Sequence, residues 1–141
     1  MLELFTSFWN NPLLPEVDAV MVSTSRGDPR RRLPFKFRKS WSLAPSRETF
    51  EAADDWDRFT RLYRNQLDEL GVDHIVGELR RVSEEAGGLP LVLLCHERDP
   101  ADCHRGLFAD WYEQHTGNPV PELQPGMISP KSGVSYQTRL L

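Results

Sequence analysis

The sequence predicts an α/β fold: a single three-layer domain with a mostly parallel sheet and flanking helices. Three observations lead there. Leu91-Val92-Leu93-Leu94 is a near-continuous apolar run, the pattern of a strand covered on both faces. Stretches from about residue 54 to 86 and from about 102 to 116 carry apolar side chains three and four apart, the helical period. Apolar runs at 18–23 and 89–95 each end in a polar loop, and α/β sheets bind ligands beyond the carboxyl ends of their strands.

In chain order, residues 1–6 read as a short strand, broken by Ser7-Phe8-Trp9-Asn10-Asn11-Pro12, whose Asn-Pro cluster favours a turn. Asp18-Ala19-Val20-Met21-Val22-Ser23 reads as a buried strand running into the small-residue loop Ser23 to Pro29. Arg30 to Pro45 has no helical period and contains Pro34 and Pro45, so an ordered loop is expected. A helix capped by Asp54 or Asp55 then runs to about Leu70, with Trp56, Phe59, Tyr63, Leu67 and Leu70 facing inward and Gly71 stopping it. A second helix spans about 73–86, with Ile75, Leu79 and Val82 inward and Gly87-Gly88 at its end. The strand at 89–95 follows. The last helix runs from about 102 or 103 to Thr116, before Gly117, and Val120 to Leu123 suits a final short strand.

With 141 residues the chain fits one core, placed at residues 1–123, with 124–141 as a polar tail or an arm docked on the body or a partner. No apolar run approaches the roughly 20 residues of a spanning helix. The first residues lack a signal-peptide pattern, so a cytoplasmic protein with no membrane partner is expected. Net charge is −4, yet Arg26 to Arg47 holds eight cations and one anion. A basic loop on an acidic protein points to a local anion site, not general nucleic-acid coating. Two nearby cysteines are too few for a disulfide scaffold.

Two constellations carry chemistry. Cys95-His96-Glu97 and Cys103-His104-Arg105 join a buried strand to a helix N-terminus, where free backbone N–H groups attract anions and favour a thiolate. Glu97, Cys103, His104 and Arg105 are the catalytic candidates, with Cys95 and His96 beside them. The bland alternative is a pair of buried thiols and a structural Glu97–Arg105 ion pair. No metal site or cofactor is expected: neighbouring Cys-His pairs do not easily face one tetrahedral ion, and the usual ligand gaps are absent. A Cys-based phosphatase is disfavoured, because Cys95 and Arg98 are too close to frame a phosphate cradle. In the second constellation, Ser23, Ser25, Arg26 and Gly27 make an anion pocket from hydroxyls, a guanidinium and a permissive glycine. It matches neither phosphate-binding glycine fingerprint, and an ordinary polar turn is its bland reading. Arg30-Arg31-Arg32 with Phe35, Phe37 and Trp41 can hold phosphates and stack bases, or simply plug the core with solvated arginines outside.

Leu93-Leu94-Cys95-His96-Glu97, Cys103-His104-Arg105, Trp111 and the stretch from Gly117 to Leu123 closely resemble the signature of Domain of Unknown Function family 488. Ser23 to Pro29 and Leu43-Ala44-Pro45 look like its short, compact branch. The likeness spans roughly residues 4–123. His96 stands where that family usually has an aromatic or small residue. The resemblance implies a compact α/β fold and no established reaction, and it carries Glu97, Cys103, His104 and Arg105 over as site residues without roles.

The expectation is a protein acting on a phosphate-bearing small molecule, such as a nucleotide, or on nucleic acid. Arg26 and Arg105 would grip the anion, Glu97 or His104 would move protons, and Cys103 would be a nucleophile. Two alternatives stand beside it: a non-catalytic module binding nucleic acid or protein through the basic loop, and a Cys-centred redox or metal protein. The oligomeric state is not legible.

Overall fold

A computed structural model describes residues 2–132. Strands β1 (Leu4–Phe8), β2 (Val20–Ser23), β3 (Phe37–Lys39) and β4 (Leu91–Cys95) form one sheet in the order β1-β4-β2-β3, with every neighbouring pair parallel. Helices α1 (Arg47–Glu51), α2 (Trp56–Leu70) and α3 (Val72–Glu85) lie between β3 and β4, and α4 (His104–Thr116) follows β4. The chain is thus an α/β domain with flanking helices.

β4 is central, and all five of its residues are buried. Its side chains alternate between two cores, as strand geometry requires. Leu91 and Leu93 join Leu4 and Val22 under Phe59, Tyr63 and Leu67 of α2, Ile75 and Leu79 of α3, and Phe108 and Trp111 of α4. Val92 and Leu94 join Phe5 and Met21 on the other face, where the cover is irregular chain: Trp9, Leu13, Leu14 and Val17 after β1, then Leu123 and Ile128. Helices therefore make one outer layer and loops the other. The loop after β1 is pinned by Asn11, whose Nδ2 donates to Ser7 Oγ at 2.9 Å and whose Oδ1 accepts from the Leu13 N–H at 3.0 Å.

The long helices follow their sequence signals. Asp55 caps α2 by accepting from the Arg58 N–H at 3.2 Å, and Gly71 ends it at φ 86°. Gly117, at φ 76°, ends α4 in the left-handed conformation that glycine adopts freely. Trp111 Nε1 of α4 donates to Asp68 of α2 at 2.8 Å.

Three expectations change. The basic segment is not wholly loop, since Phe37–Lys39 is an edge strand beside β2, and its charged Arg38 and Lys39 suit an edge. A short helix, α1, starts at Arg47, with Ser46 Oγ accepting from the Thr49 N–H. The strand expected at 120–123 is a single parallel bridge, Thr6 to Glu122, on the outer side of β1. Residues 124–131 lie against the body through Asp18 N to Ser129 O and Lys131 N to Glu16 O, each 2.8 Å, with Ile128 buried. The remainder of the expected tail, 133–141, falls outside the described residues. No described helix is long and apolar enough to cross a membrane.

Candidate functional site

Because β2 and β4 are adjacent and parallel, the loops that follow them emerge side by side. They frame an open cleft of about 370 Å³. Ser25, Arg26 and Gly27 come from the first loop, and His96, Glu97, Asp102, Cys103 and His104 from the second loop and the start of α4. His96 ties the rims together, its Nε2 donating to the Gly27 carbonyl. The opposite wall is apolar, made by Pro45, Phe50, Ala53, Trp56 and Phe59.

The loop after β2 is held from within. Ser23 is fully buried and its hydroxyl bonds to Asp28. Ser25 Oγ accepts from Trp9 Nε1 at 3.1 Å. Lys39 Nζ donates to the Ser25 and Arg26 carbonyls and to Asp28. Of the expected anion ligands, Ser23 is therefore spent on the loop itself, whereas Arg26 is exposed and tethered by one 3.3 Å bond to the Pro45 carbonyl. Gly27 does not adopt a positive φ, and a Cβ there would meet open space.

His104 is buried, with its ring 5.3 Å from that of Tyr63. Its Nε2 lies 2.6 Å from the Thr24 carbonyl, which can only accept, so the proton sits on Nε2. Nδ1 is left as a lone pair 3.6 Å from Cys103 Sγ. Burial lowers its pKa to about 4, with Arg105 and His96 lowering it further against the Thr24 bond, so the ring is neutral near pH 7. Burial also pushes the Tyr63 phenol well up, and its hydroxyl donates to the Leu43 carbonyl at 2.7 Å.

Cys95 and Cys103 are joined through their sulfurs, with Cα atoms 7.1 Å apart. Cys103 is the N-cap of α4 in an extended conformation, and no side chain caps the helix there. The extended-to-helical step between residues 103 and 104 turns both side chains to one spot. Two sulfurs and a His104 nitrogen consequently lie within 4.8 Å of one another. This corrects the expectation that adjacent Cys and His could not converge.

Arg105 differs most from the sequence reading. Its guanidinium points into the protein, with side-chain exposure of 0%. Nε and Nη2 donate to the two oxygens of Glu122 at 3.0 and 2.7 Å. Nη1 donates to Cys95 Sγ at 3.2 Å and to the Glu97 carbonyl, and Nη2 to the Arg98 carbonyl at 2.8 Å. All five N–H groups are thereby used. Arg105 is a brace for the loop, with no donor left for a ligand. Its carboxylate partner is Glu122, while the Glu97 side chain is exposed at the cleft.

Sequence reasoning missed Glu122 and the apolar wall. Glu122 was a lone carboxylate in a short apolar stretch. Trp56 was read as facing inward, yet it is 39% exposed and stacks on Phe59 at 5.1 Å; Phe50 is 53% exposed. In the basic segment, Phe35 and Phe37 pack on Trp9, Arg30 to Arg32 are exposed, and Trp41 lies under Lys39. Those residues line no part of the cleft.

Residues 24–112 match the family described as Domain of unknown function DUF488. No curated protein matches the chain, and no solved structure does. The matched stretch includes the loop from Thr24 and the Cys95–Arg105 corner, so both polar rims of the cleft lie within it, and the chain belongs to this family of unknown function.

Proposed function

We propose that the cleft binds a small phosphate-bearing ligand with a planar ring, of the nucleotide class, and presents it to the Cys103–His104 corner for chemistry. One observation carries this reading: an exposed guanidinium, Arg26, held only by its bond to the Pro45 carbonyl, faces the same cleft as an exposed aromatic wall of Phe50 and Trp56. A volume of about 370 Å³ falls in the range of small-molecule sites. The N-terminus of α4, uncapped by a side chain, adds partial positive charge on the side of Cys103. Phosphate would lie between Arg26 and that helix end, and the ring against Trp56. Gly27 supports the same pose, because its missing side chain leaves room for close approach. Glu97, exposed on the rim, is the group free to exchange protons with solvent and ligand, and Cys103, once its bond to Cys95 is reduced, is the nucleophile nearest the phosphate position.

Trp56 supplies the test. Its fluorescence, isolated by the difference from Trp56→Phe because the chain holds four tryptophans, is followed while a nucleoside monophosphate, the matching nucleoside and inorganic phosphate are titrated in turn. The nucleotide is expected to bind tightest, and Arg26→Ala to weaken it by about tenfold or more, the value of a charged hydrogen bond. Equal binding of nucleoside and nucleotide, or no binding of any of the three, would overturn the reading.

A further inference from the structure

We propose that Cys95, Cys103 and His104 form a soft-metal centre that takes one zinc ion in the reduced chain and keeps one coordination position open toward the cleft. This holds whichever ligand the cleft binds. The three donor atoms lie within 4.8 Å of one another, and all three residues are buried. Donors around a tetrahedral zinc sit roughly 3–4 Å apart, so reduction must first let the two bonded sulfurs part to that separation, while the His104 nitrogen already lies 3.6 Å from Cys103 Sγ.

The surroundings are those of a metal ligand set. A ligating histidine usually donates its other ring N–H to a carbonyl, which fixes the tautomer. His104 does this to Thr24 at 2.6 Å, leaving Nδ1 as a lone pair 3.6 Å from Cys103 Sγ. Arg105 Nη1 donates to Cys95 Sγ at 3.2 Å, a contact that favours a thiolate. Charge closes as well. Two thiolates neutralise a divalent ion, and Arg105 is neutralised by Glu122. Buried charge is tolerated on those terms.

A disulfide alone accounts for less. The joined cysteines have Cα atoms 7.1 Å apart, just beyond the usual span of about 4.4–6.8 Å, a separation that leaves room for an ion between the thiolates once the bond is reduced. Nor does a disulfide give a role to the third donor. Two sulfurs and an imidazole select zinc over magnesium or calcium, which prefer oxygen. On binding, two Zn–S bonds form, each thiol gives its proton to solvent, and His104 enters neutral; no electron moves. Cys103 and His104 line the cleft and Cys95 does not, so the open position faces the ligand.

The test uses the full chain reduced with a phosphine, which becomes the phosphine oxide as the two sulfurs take up two electrons and two protons. Zinc is then titrated in competition with a chromogenic chelator, and cobalt(II) serves as a spectroscopic probe. One ion per chain is expected, with a thiolate-to-cobalt charge-transfer band. Cys95→Ser and Cys103→Ser are expected to weaken zinc by about a hundredfold or more, His104→Ala by about tenfold or more, and Glu69→Gln, at an exposed carboxylate on α2, to leave affinity unchanged. X-ray absorption on the wild-type zinc form needs no variant, and two sulfur neighbours with at least one nitrogen are expected. Absence of stoichiometric zinc, cobalt without the thiolate band, or a chain that returns to the disulfide mass with zinc present would overturn the proposal. Nucleotide binding, scored separately through Trp56 with and without zinc, distinguishes failure of the metal centre from failure of the cleft reading.

Discussion

Arg105 of α4 and Glu122, 17 residues later, meet in a two-pronged ion pair that ties the helix start to the chain returning past β1. Thr6 Oγ1 adds a third contact, donating to Glu122 Oε1 at 2.7 Å. The Cys95–Arg105 corner is thus braced from the chain that follows α4.

The brace sets the first prediction. Removing one partner of a buried pair strands the other, so Arg105→Ala and Glu122→Ala should each cost about 3–5 kcal/mol, and the double variant less than their sum. Glu97→Ala, at an exposed carboxylate, should stay within about 0.5 kcal/mol. Urea denaturation of the four proteins checks this, and equal loss in Glu97→Ala and Glu122→Ala would refute it.

Two glycines should respond in opposite ways. A Cβ at Gly106 would collide with the Pro100 carbonyl oxygen, which is backbone and cannot rotate away. Gly106→Ala should therefore destabilise by about 1–3 kcal/mol. Gly27→Ala meets nothing and should preserve the melting temperature while weakening ligand binding in the cleft. Thermal melts paired with titration of a nucleoside monophosphate separate the two effects.

His104 gives stability an acid limit. In the unfolded chain it takes a proton near pH 6.5, and in the fold only near pH 4, chiefly because it is buried. Between those values the unfolded state binds more protons, so stability is complete above about pH 6.5 and falls as pH drops toward 4. The loss amounts to about 3 kcal/mol. Denaturation of metal-free protein from pH 7.5 down to 4 should show it, and His104→Gln should flatten the curve over that window. An unchanged slope in the variant would place the acid sensitivity elsewhere.

The aromatic wall is surface chemistry and should be separable from folding. Phe50→Ser should lower affinity for a nucleoside monophosphate by about 1–3 kcal/mol, the worth of one base–aromatic contact, with little change in melting temperature. A large loss of stability without loss of binding would show that Phe50 serves the fold.

The elements legible in the sequence are those whose stability is local or whose pattern is long. β4 announced itself through four consecutive apolar residues, and α2 through its aspartate cap, its inward stripe and Gly71. β3 and α1 have three and five residues, too few to show a period, and they exist because β2 and α2 hold them. At the site, the loops were legible because both follow buried strands. The roles within them were not. Arg105 looks like an anion grip until its five donors are traced to Glu122, Cys95 and two carbonyls, contacts made by chain return. Trp56 lies on the inward stripe of α2 by spacing alone, but its position at the first turn leaves it at the cleft rim.

The strand order also dictates the timetable of assembly. β1 and β2 are joined in the sheet through β4, the last of the four strands to leave the ribosome. Until residue 95 emerges, β1 has no partner strand, and the loop after β2 has no opposite rim. Pairings this distant along the chain are slow to close. Leu4, Phe5, Met21 and Val22, all buried in the fold, must wait for β4 before they can be covered by the sheet, and apolar surface left uncovered in this way invites aggregation. The arrival of this five-residue segment closes the sheet on which α4 and residues 120–128 then complete both cores and the cleft, so a lesion in β4 should be read in the cell as lost protein before it is read as lost activity.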